Sequence, residues 1–373
     1  MTSEELTNSQ ISVLERLPDT RNSIAEDLDI TSRSVRYRME ALEDKGYTFS
    51  MGSDYVWRIE SRPEEEPERT NTYHRSTVKK ELNNVLVEIE RDIKELVNSS
   101  PPTVSEVTDG GEATLVIPHS DSHIGAEVDG RNGEGSYSSD VAVDRISDHV
   151  DQSIHRARER GDVEHVEYVL MGDIVDGEDI YPNHNLSLRD TLQEQIRIAT
   201  GTLLDQIKKL SDEFETVGVR CIGGNHGRIS KNSTSNADSI LYDFLDVAVS
   251  NDDSLDNVMF QKSTNGQYVN FDVRGHTFHV RHGQDSLSHI GTSSGKRRWL
   301  EWKDVYRFDV GLRGHYHTVK REPVGRGVPI FQTGSPCPPS LFAESLGESG
   351  VPSGMYLFVT DDVVDEEMRM VYY

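Results

Sequence analysis

Two histidines separated by one residue close the segment Leu312-Arg313-Gly314-His315-Tyr316-His317. With 14 histidines in 373 residues, such a pair gains meaning only if other segments bring partners to it. Four segments qualify by residue type. His119-Ser120-Asp121-Ser122-His123-Ile124-Gly125 carries a carboxylate and an imidazole two apart. Gly172-Asp173-Ile174-Val175-Asp176 carries two carboxylates, and Gly223-Gly224-Asn225-His226-Gly227-Arg228 an amide and an imidazole. His282-Gly283 adds a lone imidazole. Mixed oxygen and nitrogen donors suit Mn, Fe or Zn better than Mg alone.

Chemistry of this kind needs elements that deliver the clusters to one place. Residues 113–118 form an apolar, strand-like run that ends at the first cluster. A helical stretch over 140–160 and a strand over 163–171 lead to the second, and a helix over 188–210 and a strand over 216–222 lead to the third. Three βα units thus each finish in a polar cluster at the carboxyl edge of a sheet, where ligands of open α/β folds bind. The later half reads as β-rich. Runs 267–273 and 276–281 form a hairpin around Arg274-Gly275 that ends at His282, and a helix containing Trp299 and Trp302 follows. A strand over 307–312 delivers the histidine pair. Side chains two apart on a strand face the same way, so this pair is expected to point to one side. Runs 328–332, 355–359 and 367–372 are expected to complete a second sheet.

Asp-x-His, Gly-Asp-x-x-Asp, Gly-Asn-His, His-Gly and Gly-His-x-His occur in that order. The set resembles the calcineurin-like metallophosphoesterases over residues 113–335, down to the Gly334-Ser335 turn. The resemblance implies a four-layer α/β sandwich of two mixed sheets flanked by helices. It also implies two divalent ions, Mn with Fe or Zn as alternatives. By the resemblance, Asp121, His123 and His317 hold one ion, Asn225, His282 and His315 hold the other, and Asp173 bridges them. In two-metal hydrolases such ions, about 3.5–4 Å apart, activate water at neutral pH and neutralise phosphoryl charge. The bridging water is then the nucleophile, His226 the general acid for the leaving oxygen, and Asp176 the residue that orients a ligand. His119 reads as a core or rim histidine, and Arg228 as a phosphate contact or a plain ion pair. The Asp121 motif is similar in form to that of SbcD-like DNA repair exonucleases, which implies an ATPase partner. Gly227-Arg228 departs from the acid that follows Gly-Asn-His in protein phosphatases and resembles forms in phage-type genomes, as in a virus-encoded protein.

Residues 1–62 read as a separate domain. Ile11, Leu14 and Leu17 recur at helical spacing, a second helix fits 23–28, and a third runs from an N-cap at Thr31-Ser32 to Lys45. On the third helix Val35, Met39 and Leu42 form one stripe, with Arg33, Arg36 and Tyr37 on the opposite side. Alternating residues over 47–59 around Gly52-Ser53-Asp54 form a hairpin. This order resembles the winged helix-turn-helix family and implies DNA contact through Arg33, Arg36 and Tyr37; the alternative is a protein-binding domain. Residues 63–110 combine a charged, Pro-punctuated linker with a helix over 73–98. Its stripe of Leu82, Leu86, Ile89, Ile93 and Leu96 fits either packing on a neighbour or homodimerisation. Residues 111–373 complete the chain as the catalytic domain.

The balance of 39 basic against 65 acidic residues, a net charge of −26, is spread along the chain. That distribution fits a solvating surface adapted to a high-salt cytoplasm. Two cysteines make no disulfide framework. No apolar run approaches the roughly 18 residues of a membrane span, and the acidic start is unlike a signal peptide. The expectation is a cytoplasmic metallophosphoesterase acting on DNA, as a nuclease or phosphodiesterase. The alternatives are a phosphatase or phosphodiesterase of nucleotides or phosphoproteins, and a DNA-binding regulator with a ligand-sensing domain.

Overall fold

A computed structural model describes residues 6, 8–28, 30–52, 54–63, 110–128, 136–181, 184, 187–229, 235–264, 266–284, 289–339 and 351–372. The helix expected over 73–98 lies outside the described residues. The chain forms two compact units, Met1–Leu82 and Asn83–Tyr373.

In the first unit, helices α1 (Asn8–Leu14), α2 (Arg21–Asp27) and α3 (Ser32–Glu43) precede an antiparallel hairpin, β1 (Thr48–Met51) and β2 (Trp57–Ser61). Thr20 and Thr31 cap α2 and α3, each hydroxyl accepting the N–H of the serine three residues on at 3.2 Å. The spacing of Val35, Met39 and Leu42 buries all three on one side of α3, where Val35 and Met39 join Val13 and Ile24 in a core. The outer side carries Arg33, Arg36 and Tyr37. Arg33 donates to the Tyr37 hydroxyl at 3.0 Å, and the Arg36 guanidinium lies 5.1 Å from its ring centre and 3.3 Å from Glu40.

The second unit is mixed α/β with two mixed sheets. Six strands run β13-β12-β3-β4-β5-β6: β3 (Ala113–His119), β4 (Val163–Leu170), β5 (Thr216–Cys221), β6 (Val258–Lys262), β12 (Ser353–Val359) and β13 (Val364–Tyr372). Strands β3 to β6 are parallel, whereas β12 is antiparallel to β3 and β13 to β12. Five strands form the other sheet in the order β10-β11-β9-β8-β7. They are β7 (Val269–Val273), β8 (His276–Arg281), β9 (Val310–Arg313), β10 (Lys320–Val324) and β11 (Val328–Gln332). Helices α4 (Ser139–Arg160), α5 (Leu192–Glu213) and α6 (Ala237–Ser250) connect the parallel strands, and α7 (Ser293–Tyr306) lies between β8 and β9 in the chain.

The main core lies between the sheets. Val116, Val169, Met171 and Leu357 of one meet Phe271, Phe278, Val280, Leu312 and Phe331 of the other. Residues of β3 alternate in direction, so Leu115 and Ile117, also fully buried, face away from Val116. On the far side of the second sheet, Trp299 of α7 packs with Ile290, Phe308, Val324 and Ile330. Among the described residues no helix is long and apolar enough to cross a membrane.

Two expectations are corrected here. The runs at 355–359 and 367–372 belong to the first sheet, not the second, because β12 pairs with the free side of β3 through Leu357↔Val116 and carries β13 with it. The strand that leads to the histidine pair ends at Arg313, so neither His315 nor His317 lies on it. Elements β6, α6 and β10 were not anticipated.

His149 of α4 is buried, and its ring nitrogen Nε2 donates to the Met355 carbonyl at 2.9 Å. Burial holds this imidazole down to about 4, whereas an unfolded chain titrates near about 6.5. A depressed pKa contributes stability that is complete above the unfolded value and is lost as pH falls toward the folded one. Urea unfolding should therefore weaken between about pH 6.5 and 4, by at most about 1.4 kcal/mol per pH unit from this group. His149→Gln keeps a donor but cannot titrate, and should show a shallower fall. Equal slopes would exclude His149 as the cause.

Candidate metal centre

All five clusters leave the carboxyl ends of parallel strands. Strands β3, β4 and β5 lead to Asp121 and His123, to Asp173 and Asp176, and to Asn225 and His226. In the facing sheet, parallel β8 and β9 lead to His282 and to His315 and His317. Close backbone approach requires glycine at two of these exits. A Cβ at Gly172, whose φ is +89°, would run into the backbone of Gly224, and one at Gly314 would run into Ser120 and the Asp121 carboxylate.

The ligand atoms of Asp121, His123 and His317 lie within 4.8 Å of one another, as do those of Asp173, His282 and His315. Asp121 Oδ1 joins the two groups, at 3.4 Å from His317 Nε2 and 4.0 Å from both His123 Nε2 and His282 Nε2. Among the described residues no donor bonds this buried oxygen. Its partner Oδ2 accepts the His315 N–H at 2.8 Å. Asn225 enters through its Oδ1, 3.1 Å from His282 Nε2.

Hydrogen bonds set the ring tautomers. His282 Nδ1 donates to the Met171 carbonyl at 2.7 Å, so Nε2 is the nitrogen turned inward. There it faces two oxygens, Asp173 Oδ2 at 2.9 Å and Asn225 Oδ1 at 3.1 Å. A neutral imidazole offers them only a lone pair, and that contact is repulsive until a positive charge stands between. Burial disfavours the His282 cation, yet Asp173 and Asp121 outweigh it and hold the ring up to about 9. His123 likewise turns Nδ1 to Asp176 Oδ1 at 2.9 Å and leaves Nε2 3.3 Å from His317 Nε2. Burial and the neighbouring His226 keep His123 below its ordinary value, and burial with His282 holds His315 down to about 3. Burial also opposes charge on Asp121 and Asp173, but the surrounding imidazoles keep both carboxyls well below the usual range. Two ionised carboxylates, an amide oxygen and inward imidazole nitrogens form the donor set that divalent transition ions take. The residues fit such ions.

Asp176 organises one flank. Its Oδ1 accepts from His123 Nδ1 and His226 Nδ1, both at 2.9 Å, and its Oδ2 from His184 Nε2 at 2.8 Å. His184 Nδ1 in turn accepts the Ile180 N–H at 3.3 Å, so the proton of that buried ring sits on Nε2. His226 also donates its backbone N–H to Asp173 Oδ1 at 2.6 Å. Burial opposes its charge, but Asp173 and Asp176 hold His226 up to about 10. The His226 side chain is 19% exposed and that of His317 16%, against 0% for Asp121 and His282, so the cluster opens to solvent on the His226 and His317 side.

Left-handed backbone recurs at these positions. Asp121, His123, Asp173, His315 and His317 have φ of 58°, 45°, 51°, 70° and 51°. Such conformations cost a residue with a Cβ on the order of 1–3 kcal/mol and concentrate at functional sites. They aim side chains by sharp turns, where alternation along a strand was expected to do so.

Two residues that hold the cluster together went unrecognised in the sequence. His184 sits in a polar loop that offers no pattern. Asp238, at the start of α6, accepts the N–H groups of Asp173 (2.9 Å), Ile174 (3.1 Å), Val175 (3.4 Å) and Gly224 (2.9 Å). One carboxylate thus ties the Asp173 loop to the Asn225 loop. Other histidines lie apart from the centre. His119 Nε2 lies 2.6 Å from the Ser122 hydroxyl, His276 bonds the Thr360 carbonyl at 3.1 Å, and His279 stacks on Tyr306 and Phe308. Arg228 forms a bridge with Asn236 through its backbone.

No protein-family profile matches the chain, and no curated protein does. Solved structures that align with it include a Vps29 complexed with Zn from Entamoeba histolytica, at 14% identity and a TM-score of 0.33, covering 69% of this chain and 97% of that one. A dimetal phosphatase from Danio rerio aligns at 14% identity and a TM-score of 0.35, over 70% of this chain and 96% of that one. A predicted phosphoesterase from Streptococcus pneumoniae aligns at 11% identity and a TM-score of 0.29, over 72% and 100%. At such low similarity the chemistry of the centre rests on its own geometry.

Proposed function

We propose that the second unit hydrolyses phosphoesters at a centre of two divalent cations, and that DNA is its substrate. The observation that carries the first part is the convergence of two buried carboxylates, Asp121 and Asp173, with the Nε2 atoms of His282 and His317 and the Asn225 amide oxygen, where the buried Asp121 Oδ1 has no hydrogen-bond donor among the described residues. Asp121, His123 and His317 would hold one cation, Asn225, His282 and His315 the other, and Asp173 both, with Mn, Fe and Zn all suited to the donors. When bound, the cations supply Lewis acidity that activates water at neutral pH and offsets phosphoryl charge.

The chain's own residues handle the leaving group. His226 commits Nδ1 to Asp176 and keeps Nε2 for the exposed side, where a proton can pass to a departing oxygen. Asp176 fixes that tautomer and, through its other bonds, the inward nitrogen of His123. His184 holds the second oxygen of Asp176 and so its rotamer.

DNA as the substrate is supported by the first unit. Three helices and a hairpin in this order, with Arg33, Arg36 and Tyr37 exposed on α3, suit a winged helix whose third helix enters the major groove. Against a net charge of −26, contact there must come from local positive charge and not from the whole surface.

The test offers purified protein with Mn single- and double-stranded DNA, a nucleotide monoester, a phosphopeptide and a small chromogenic diester at several salt concentrations. The full-length Arg33→Glu/Arg36→Glu variant should bind DNA about 10-fold or more weakly and hydrolyse the small diester at the wild-type rate. Unchanged DNA affinity would remove the recognition role of α3, and turnover of the monoester alone would replace DNA by a nucleotide.

A further inference from the structure

The turn that presents His315 and His317 is held at both ends by hydrogen bonds. At its start the Gly314 N–H donates to the His282 carbonyl at 2.9 Å, and the His315 N–H to Asp121 Oδ2 at 2.8 Å. At its end the buried Gln332 amide donates to the Thr318 carbonyl at 2.7 Å and to its hydroxyl at 2.9 Å. Between these ties, His315 and His317 have φ of 70° and 51°. A residue with a Cβ keeps such a conformation only where the surroundings over-determine it.

Tyr316 stands at the centre of the turn. Its ring centre lies 4.1 Å from the Arg313 guanidinium, 4.4 Å from the His289 ring and 5.0 Å from the His315 ring, the last edge-on. Arg313 is fully buried at the end of β9. Its guanidinium also packs against Gly283, immediately after His282, closely enough that a Cβ there would come within 3.2 Å of Arg313 Nε. One planar cation therefore touches the loop of His282 and, through Tyr316, the turn of His315 and His317. A guanidinium over an aromatic face is attracted by the ring quadrupole, and an aliphatic side chain of the same bulk offers no such attraction.

We propose that Tyr316 is a positioning residue of the metal centre: its ring, clamped on Arg313, fixes the left-handed turn that aims His315 into one half of the centre and His317 into the other. This inference rests on the divalent-cation reading of the site. Its test is calorimetric titration of the metal-free, full-length protein with Zn or Mn, alongside thermal unfolding of the same metal-free samples. Tyr316→Leu should lower metal affinity about 10- to 100-fold, the usual consequence of removing a group that orients a ligand. Tyr316→Phe keeps the ring face and should stay within about threefold of wild type. Metal-free unfolding should change little in either, because the ring is only half-buried.

A leucine variant that binds metal as tightly as wild type, or one that merely unfolds earlier with unchanged affinity, overturns the proposal. So does equal weakening by Phe and Leu, which would assign the effect to the hydroxyl. Histidine-selective NMR of the metal-free leucine variant should show altered His315 and His317 ring signals beside an unaltered His149; unmoved His315 and His317 signals also overturn it. Wild-type protein that takes up no divalent ion would instead refute the centre itself, and this inference with it.

Discussion

Alanine at position 173 is expected to abolish divalent-cation binding and to lower phosphoester hydrolysis on the order of 10³-fold or more. Asp173 is buried, with Oδ2 2.9 Å from His282 Nε2 and Oδ1 accepting the His226 N–H at 2.6 Å. It therefore stands between a proposed ligand and the candidate acid, and only a carboxylate offers an anionic oxygen to each side. The methyl group of alanine would leave His282 with the neutral oxygen of Asn225, which cannot offset two positive charges. Asp173→Asn provides the control for folding. It keeps the volume and an acceptor for His226, yet lacks the negative charge, so it should fold normally and still lose metal. Metal content measured on the purified variants, together with Mn-dependent hydrolysis of a small diester, decides the matter. Hydrolysis retained by Asp173→Ala would refute the site.

The second large effect is expected at Asp238, which is fully buried. Its carboxylate accepts four backbone N–H groups, three from the Asp173 loop and one from Gly224. A carboxylate has about four lone-pair sites, so its capacity is fully used. Burial and the nearby Asp173 push its pKa up to about 6, against N–H donors that favour the ionised form. At neutral pH the anion wins. An amide in its place brings one acceptor oxygen and an NH₂ group that faces N–H donors. Each buried donor left unsatisfied costs about 1–3 kcal/mol. Asp238→Asn should therefore lose on the order of 3–5 kcal/mol in urea unfolding and bind metal poorly, because the Asp173 and Asn225 loops are no longer tied. Wild-type stability with wild-type metal content would show that these loops hold themselves.

Much of this arrangement was legible before any coordinates. Strands β3, β4 and β5 and helices α4 and α5 sit close to where apolar periodicity placed them, because each is an uninterrupted run bounded by glycine or polar residues. That polar clusters sit where strands give out was also legible, whereas the choice of Asp121, His123, Asp173, Asn225, His282, His315 and His317 among them came from the resemblance of the motif order. The placement of β12 and β13 was not. An apolar alternating run satisfies either sheet equally, and the choice belongs to the free side of β3, more than 200 residues earlier in the chain.

The sequence by itself determined which chemical groups this protein has, the strand ends from which they project, and the stripe of α3 that leaves Arg33, Arg36 and Tyr37 outside. Those are local properties of residue type and period. Only the tertiary structure decided how the groups are aimed. Left-handed turns at five of the proposed ligand positions, and not strand alternation, point the side chains inward. Asp238 and His184 hold the loops from segments whose local pattern gives no hint of it. An aspartate at a helix start reads as an ordinary acidic first turn, and its four backbone partners exist only once distant strands have come together.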